Sequence, residues 1–364
     1  MMKVIFILNN VQGQRCIKRI EEFIDNGFDV EAYGFFRNDY VIPVQGNINV
    51  IRIAEFSNAS NYFKRALIMW KSLKKILSAG NKENIYYFFN LDVAIVANLI
   101  KKTKYIYEEG DLRYLNFKSK IIKYLFKQID ISIVKKSIET VFTSEGFVDY
   151  LFGNTHPRNI SIIPNKLNKK ILKLPVVVKE KHSFPQKLKI GFVGTIRYHS
   201  IYNFASTFAK NFSNYEFHFY GGVMSSNEKL FYELKKYDNV FFHGTFVSPD
   251  DLPMIYSNID MVLSAYDVRA DNVKYAEPNK LYEAIFFETP IIVSKGTFLS
   301  EKVGKLDVGY SINPFNNSEI VDFFTNLTVE DLNKKIASCI AIDKKDSINS
   351  NAQFFQKLKN KDVS

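Results

Sequence analysis

Two series of apolar strands and helices, separated by a stretch that follows neither period, constrain what this chain of 364 residues can fold into. The first opens with MKVIFILNN, an apolar strand entering a polar loop from Asn9 to Gln14 that contains Gly13. Ile17, Ile20, Phe23 and Ile24 then recur at helical spacing, Asn26-Gly27 stops the helix, and FDVEAYGFF reads as the next strand. This β-loop-α-β unit is the first step of a doubly wound sheet, although it has no G-x-G-x-x-G. Further strands are predicted at INVIRI, NIYYFF, KYIYEE and VFTSE, with helices over 62–77, 91–101 and 117–127. Residues 165–186 are Lys-rich, Pro-bounded and aperiodic, the pattern of a linker. A second series follows: KLKIGFVG, YEFHFYGG, NVFFHG, IDMVLSAY, PIIVS and GYSI, then a helical tail over 349–358. The expected fold is α/β, with two doubly wound domains over 1–165 and 187–340, a linker over 166–186 and the tail over 341–364. Right-handed crossovers bring the strand C-terminal loops together, so Gly13, Gly194, Gly221 and Glu283 are expected near one crevice, a cleft between the domains.

The length suits two domains. Cys16 and Cys339 are the only cysteines, which fits a reducing cytoplasm and leaves no zinc or disulfide spacing. The N-terminal apolar run is too short for a signal peptide, and no run approaches the ~20 apolar residues that span a bilayer. Of the net charge of +11, all lies in the first half: residues 1–180 hold 28 basic and 17 acidic residues. Residues 62–136 alone hold 16 basic and 6 acidic. Such a face attracts anions: membrane headgroups, a lipid diphosphate or nucleic acid. In FKSKIIKYLFK, Phe117, Ile121, Tyr124 and Leu125 form one helical stripe among Lys118, Lys120, Lys123 and Lys127, and Ile68 and Trp70 sit among Lys64, Arg65, Lys71, Lys74 and Lys75. Either these stripes lie in a membrane interface, or they face the domain's own sheet and leave the lysines outside.

AEPNKLYEAIFFETPIIVS, residues 276–294, reads as a Pro-led turn, a helix, a second Pro and a strand. Pro278 is tolerated in a first helical turn. Lys280 and Glu283 share a face near the helix start, where phosphate is favoured. A carboxylate one turn in can accept hydrogens from two vicinal hydroxyls, and diphosphate beside ribose is what a nucleotide sugar presents. The same pattern also suits an ordinary β/α crossover.

The PNKLYEA…TPIIVS block resembles the donor-binding segment of GT-B glycosyltransferases of the family 4 type, P-x-K-x-x-E followed by G-x-P-V/I-V. GFVGTIRYHS resembles the first strand and loop of that family's C-terminal domain. TSEGFVDYL and IIPNKLNKKIL resemble the end of its N-terminal domain and the start of its linker. The resemblance covers nearly the whole chain. It implies a GT-B fold of two Rossmann-like domains, with the tail crossing back onto the first. It implies that Gly194, Thr195 and Arg197 face the donor diphosphate with Lys280 as basic partner, and that Pro278, Asn279, Leu281 and Glu283 complete the donor segment. Tyr220-Gly221-Gly222 and His243-Gly244-Thr245-Phe246-Val247 end two strands. The second resembles the family's base-binding loop, so backbone at Phe246 and Val247 would read a uracil-like edge, while His243 suits an ordinary loop histidine.

Tyr107-Glu108-Glu109-Gly110-Asp111 ends a first-domain strand where the family often carries a His-Asp pair beside the acceptor. Glu109 stands in for the missing His and, with Asp111, is a candidate base if its pKa is raised. The alternative is that these carboxylates pair with Lys101, Lys102 and Lys104. The family's first glutamate falls at Tyr275, with Glu277 nearby, which leaves the donor sugar open. There is no D-x-D, and Arg197, Lys280 and helix-start amides are expected to neutralise the diphosphate with no metal or cofactor.

The resemblance implies a retaining hexosyltransferase of surface polysaccharide synthesis (O-antigen or capsule), peripheral on the inner face of the plasma membrane. Its partners would be a UDP- or GDP-sugar, a lipid-linked glycan and an anionic membrane, with no nucleic acid. The alternatives are a sugar-nucleotide epimerase on the same fold, which needs acid/base groups the sequence does not assemble, and a non-enzymatic basic binder of membrane or nucleic acid.

Overall fold

Strands that are apolar on both faces belong inside a parallel sheet covered by helices, and both halves of the chain are built that way. The computed structural model describes residues 3–11, 14–36, 48–55, 62–175 and 187–361. They divide into two units: Met1–Pro164 with Asn351–Ser364, and Asn165–Ser350. Gly13 lies outside the described residues.

The first unit runs β1 (Lys3–Leu8), α1 (Gln14–Asp25), β2 (Asp29–Phe36), β3 (Val50–Glu55), α2 (Tyr62–Ala79), β4 (Ile85–Phe89), α3 (Leu91–Ile100), β5 (Lys104–Glu109), α4 (Lys120–Lys136), β6 (Glu139–Phe142), α5 (Glu145–Phe152) and β7 (Ile160–Ile162). Its sheet is parallel, in the order β3-β2-β1-β4-β5-β6-β7. The order reverses between β1 and β4, the switch point where doubly wound sheets bind ligands. VFTSE is not all strand: Ser144 caps α5 by accepting from the Gly146 N–H, so the strand ends at Phe142. Phe117 precedes α4 and packs 5.5 Å from Phe126 instead of joining the outer stripe.

The second unit runs β8 (Lys189–Val193), α6 (His199–Asn211), β9 (Glu216–Tyr220), α7 (Glu228–Tyr232), β10 (Val240–Phe242), α8 (Leu252–Ser257), β11 (Met261–Ser264), α9 (Asp271–Lys274), α10 (Lys280–Phe286), β12 (Ile291–Ser294), α11 (Phe298–Leu306), β13 (Gly309–Ile312), α12 (Asn317–Asn326) and α13 (Val329–Ala341). Its parallel sheet has the order β10-β9-β8-β11-β12-β13. The first part of the Lys-rich stretch is folded, not extended: Leu167 bridges Ile348 and, with Ile171, is buried in this unit's core. Apolar residues at spacings of three and four explain this. Residues 176–186 lie outside the described set.

The returning helix, α14 (Ala352–Lys361), buries Phe354, Phe355 and Leu358 in the first unit's core, against Phe23 and Phe28. Its lysines reach the buried Glu139: Lys357 Nζ lies 2.6 Å from Oε1 and Lys361 Nζ 2.7 Å from Oε2. Glu139→Ala removes the carboxylate that both ammonium groups share, leaving them the backbone oxygens of Arg158 and Ile138, and is expected to lower the first unit's stability by about 1–2 kcal/mol, checked by urea unfolding.

Candidate functional site

In the second unit the loops after β8 and β9 are zipped together at the sheet's C-terminal edge. The Gly194 N–H donates to Tyr220 O at 2.7 Å, and the Ile196 N–H donates to Gly222 O at 3.0 Å. Gly194 and Gly221 have φ of +131° and +141°, which side chains rarely adopt. A Cβ on Gly221 would lie 2.0 Å from Gly194 O, and one on Gly194 would lie 3.0 Å from Lys280 Nζ. The missing side chain at Gly194 is therefore what lets the Lys280 ammonium reach the end of β8. Lys280 is only 7% exposed and lies over the rings of Phe192 and Tyr266, at 5.2 and 6.0 Å. It has no hydrogen bond or ion pair among the described residues. Thr195 and Arg197 are exposed on the same loop, with the Arg197 guanidinium 4.8 Å from the Tyr198 ring.

Glu283 is almost fully buried. It accepts from Tyr256 Oη at 2.7 Å on Oε2 and from Asn279 Nδ2 on Oε1. Burial pushes its carboxyl up, while Lys280 and these two donors pull it down. Each oxygen keeps a second lone pair for a hydroxyl. The helix start differs from expectation. Pro278 lies ahead of α10, and the N–H groups of Leu281 and Tyr282 are taken by Pro278 O and Asn279 O at 3.3 and 3.0 Å, in a tight 3₁₀-like turn. These amides do not serve an anion, and the Leu281 side chain is core. Glu277 points elsewhere, to Lys302 at 2.6 Å and Tyr282.

In the proposed base loop, the Val247 N–H is already given to Asp251 Oδ2 at 2.7 Å, so Phe246 offers the uncommitted backbone there. His243 is more than a loop histidine. It stacks on Tyr220 at 4.3 Å and lies 3.0 Å from His218 Nδ1, and His218 Nε2 lies 3.1 Å from Glu216. Burial lowers the pKa of both histidines. The register of β9 against β10, which pairs His218 with Phe241, was the signal for this chain.

Among the described residues, Glu108 and Glu109 do not pair with Lys101, Lys102 or Lys104. Glu108 is fully buried between Arg15 and Arg19, with Nε atoms at 3.2 and 3.0 Å, and accepts from Tyr87. Glu109 accepts from the Asp111 N–H at 3.1 Å and from Tyr107, whose hydroxyl also lies 3.0 Å from Asp130 on α4. Tyr114 donates to the other Asp130 oxygen at 3.2 Å. Burial and the neighbouring Asp130 hold Glu109 well above the carboxylate range, and burial pushes Asp130 up to about 7. At 1% exposure, Glu109 is an internal acid rather than an open base. Asp111 is half-buried at the strand edge.

These raised acids make a stability prediction. A carboxyl whose folded pKa lies above its unfolded value stabilises fully below the unfolded pKa, and that contribution is lost as the pH rises through the folded pKa. The first unit is expected to lose stability as the pH rises from about 4 to about 7, and Asp130→Asn is expected to flatten that slope in thermal melts.

The outer faces of α2 and α4 carry apolar groups in solvent. Phe63, Ile121 and Tyr124 are 80, 73 and 62% exposed, and Leu67, Trp70, Ile122, Leu125 and Ile129 are exposed as well. The stripes are therefore not spent on the unit's own sheet. Lys127 turns inward to Tyr150 O at 2.6 Å. No helix among the described residues is long and apolar enough to cross a membrane.

Residues 177–345 match the family described as glycosyl transferases group 1. The chain is a glycosyltransferase. No curated protein sequence matches it. Among solved structures, sucrose-phosphate synthase from Thermosynechococcus elongatus aligns at 14% identity over 99% of both chains, with a TM-score of 0.69. HepE from Anabaena, in complex with UDP and glucose, aligns at 12% identity over 100% of both, with a TM-score of 0.70. The lipopolysaccharide outer core galactosyltransferase WaaB aligns at 15% identity over 99% of this chain and 98% of its own, with a TM-score of 0.62. At such identities the likeness carries the fold, and two parallel Rossmann-like sheets make it GT-B.

Proposed function

We propose that this glycosyltransferase moves a hexose from a UDP- or GDP-sugar to a hydroxyl of a lipid-linked glycan, with retention, as a family 4 type enzyme of surface polysaccharide synthesis such as O-antigen or capsule. The observation that carries the donor assignment is Lys280, a buried ammonium without an ion-pair partner among the described residues, set against Gly194 at a strand end. A buried cation needs a counter-charge, and the donor diphosphate supplies one. Arg197 joins it on the diphosphate in place of a metal ion or cofactor, Thr195 and the backbone of Gly194 and Gly221 border it, and Glu283 accepts the ribose hydroxyls. Phe246 backbone, beside Tyr220 and Val247, reads the base. Asp111 and Glu109 border the acceptor, Asp111 being the more open of the two. Incubation with a panel of nucleotide sugars tests the reading. Release of nucleoside diphosphate with one or more donors, persisting in excess chelator, is expected. No release with any donor sinks it, and loss with chelator sinks the metal-free part.

The acceptor's lipid and the protein's place at the inner membrane face rest on the α2 and α4 surface, where exposed Phe63, Trp70, Ile121 and Leu125 lie among lysines. Each lysine near an anionic surface contributes ~1 kcal/mol, and the apolar groups add interfacial burial. Cosedimentation with vesicles is expected to rise with anionic lipid, fall with salt, and weaken at least tenfold in Leu125→Glu. Absence of binding would point to a soluble acceptor.

A further inference from the structure

The end of β5 in the first unit holds an arginine that the donor reading does not use. The Arg15 guanidinium lies flat on Gly110, so that a Cβ there would fall 1.5 Å from its Nη1. Its Nη2 donates to Asn90 Oδ1 at 3.3 Å, and its Nε faces Glu108 Oε1 at 3.2 Å. Nη1 has no hydrogen-bond partner among the described residues. Asn90 follows β4 with φ 67° and ψ 158°, a backbone conformation nearly confined to glycine, and is pinned by its N–H to Glu108 O at 2.8 Å. Strain of this kind collects at ligand sites. Asn9 follows the neighbouring strand β1. It is 3% exposed, and its Nδ2 is buried without a partner among the described residues. A planar fork with an idle arm, an orphan amide and a strained asparagine thus meet where the strand order reverses.

We propose that this strand-end crevice binds an anionic oxygen group of the acceptor, a phosphate or carboxylate, on Arg15 Nη1 with Asn9 Nδ2 beside it. The donors uncommitted here are all N–H groups, and a guanidinium fork matches two oxygens of such an anion. The surrounding charge allows it. Glu108 is countered by Arg19 as well as Arg15, and Arg19 in turn by Glu22. Burial and Asp130 raise the Glu109 carboxyl well above the usual carboxylate range, and Asp111 is a further carboxylate near Arg15. The proposal rests on the sugar-transfer reading only for what carries the anion.

The test uses the full chain and saturation-transfer NMR with glucose 6-phosphate, glucuronate, a ten-carbon prenyl phosphate and glucose. At least one of the three anions is expected to bind ten times more tightly than glucose. Which one does so separates sugar phosphate, sugar acid and lipid phosphate. Arg15→Gln is expected to abolish that preference. Gly110→Ala keeps the charge and pushes the guanidinium off its seat, so it is expected to do the same. UDP binding, assigned to the second unit, is expected to stay within twofold in both variants, and a retained first-unit transition in urea unfolding reports that the mutated unit is folded. Failure of the parent to bind either UDP or GDP would strike the donor reading alone. Anions that bind no better than glucose, or a preference that survives Arg15→Gln, overturn the proposal.

Discussion

Lys280→Ala is expected to cut kcat by about two to three orders of magnitude, the cost of deleting one preorganised group that meets transition-state charge. Charge on the diphosphate grows as the sugar–phosphate bond breaks, so kcat falls further than affinity for the intact donor. Binding of an uncharged nucleoside is expected to stay within a few-fold. Because Lys280 is buried against Phe192 and Tyr266, Lys280→Met keeps the packing and separates lost charge from lost shape. Steady-state kinetics with the best donor of the panel checks this, and unchanged kcat in both variants would remove Lys280 from the mechanism. Glu283→Ala complements it. Loss of a charged acceptor for two hydroxyls is expected to weaken nucleoside diphosphate binding by about a hundredfold or more, at roughly 1.5–3 kcal/mol per bond.

The second large effect is structural. Glu108→Ala leaves Arg19 buried and Arg15 half-buried with no shared carboxylate. Breaking a buried ion pair from one side costs about 3–5 kcal/mol. Chemical denaturation is expected to show that loss in the first unit, with UDP affinity, a property assigned to the second, retained. A stability change under 1 kcal/mol would mean that the arginines find solvent or other partners.

The plan of two doubly wound sheets was legible because apolar runs alternate with helical patterns in two series, as KLKIGFVG and IDMVLSAY show in the second. Lys280 and Glu283 were legible as a pair because helical spacing alone sets them on one face. What sits opposite them was not. Tyr256 reaches Glu283 from another helix, and no local pattern announces a contact 27 positions away. Glu108 beside three lysines in sequence suggested surface pairing, whereas the fold gives it to Arg15 and Arg19, some 90 positions earlier. The outer stripe of α4 was undecidable from periodicity, since an apolar stripe looks the same whether it meets a sheet or water. Exposure of Ile121 and Tyr124 settles it.

The path of the chain carries a consequence for synthesis. The first unit is interrupted: it stops at Pro164 and resumes at Asn351, after the whole second unit has been made. Until α14 emerges from the ribosome, the apolar groove against Phe23 and Phe28 stays open and the Glu139 carboxylate lacks its two lysines. The earlier-made half is therefore the later to mature. A nascent chain paused near residue 350 would hold the whole sequence of the second unit beside a first unit still awaiting its closing helix.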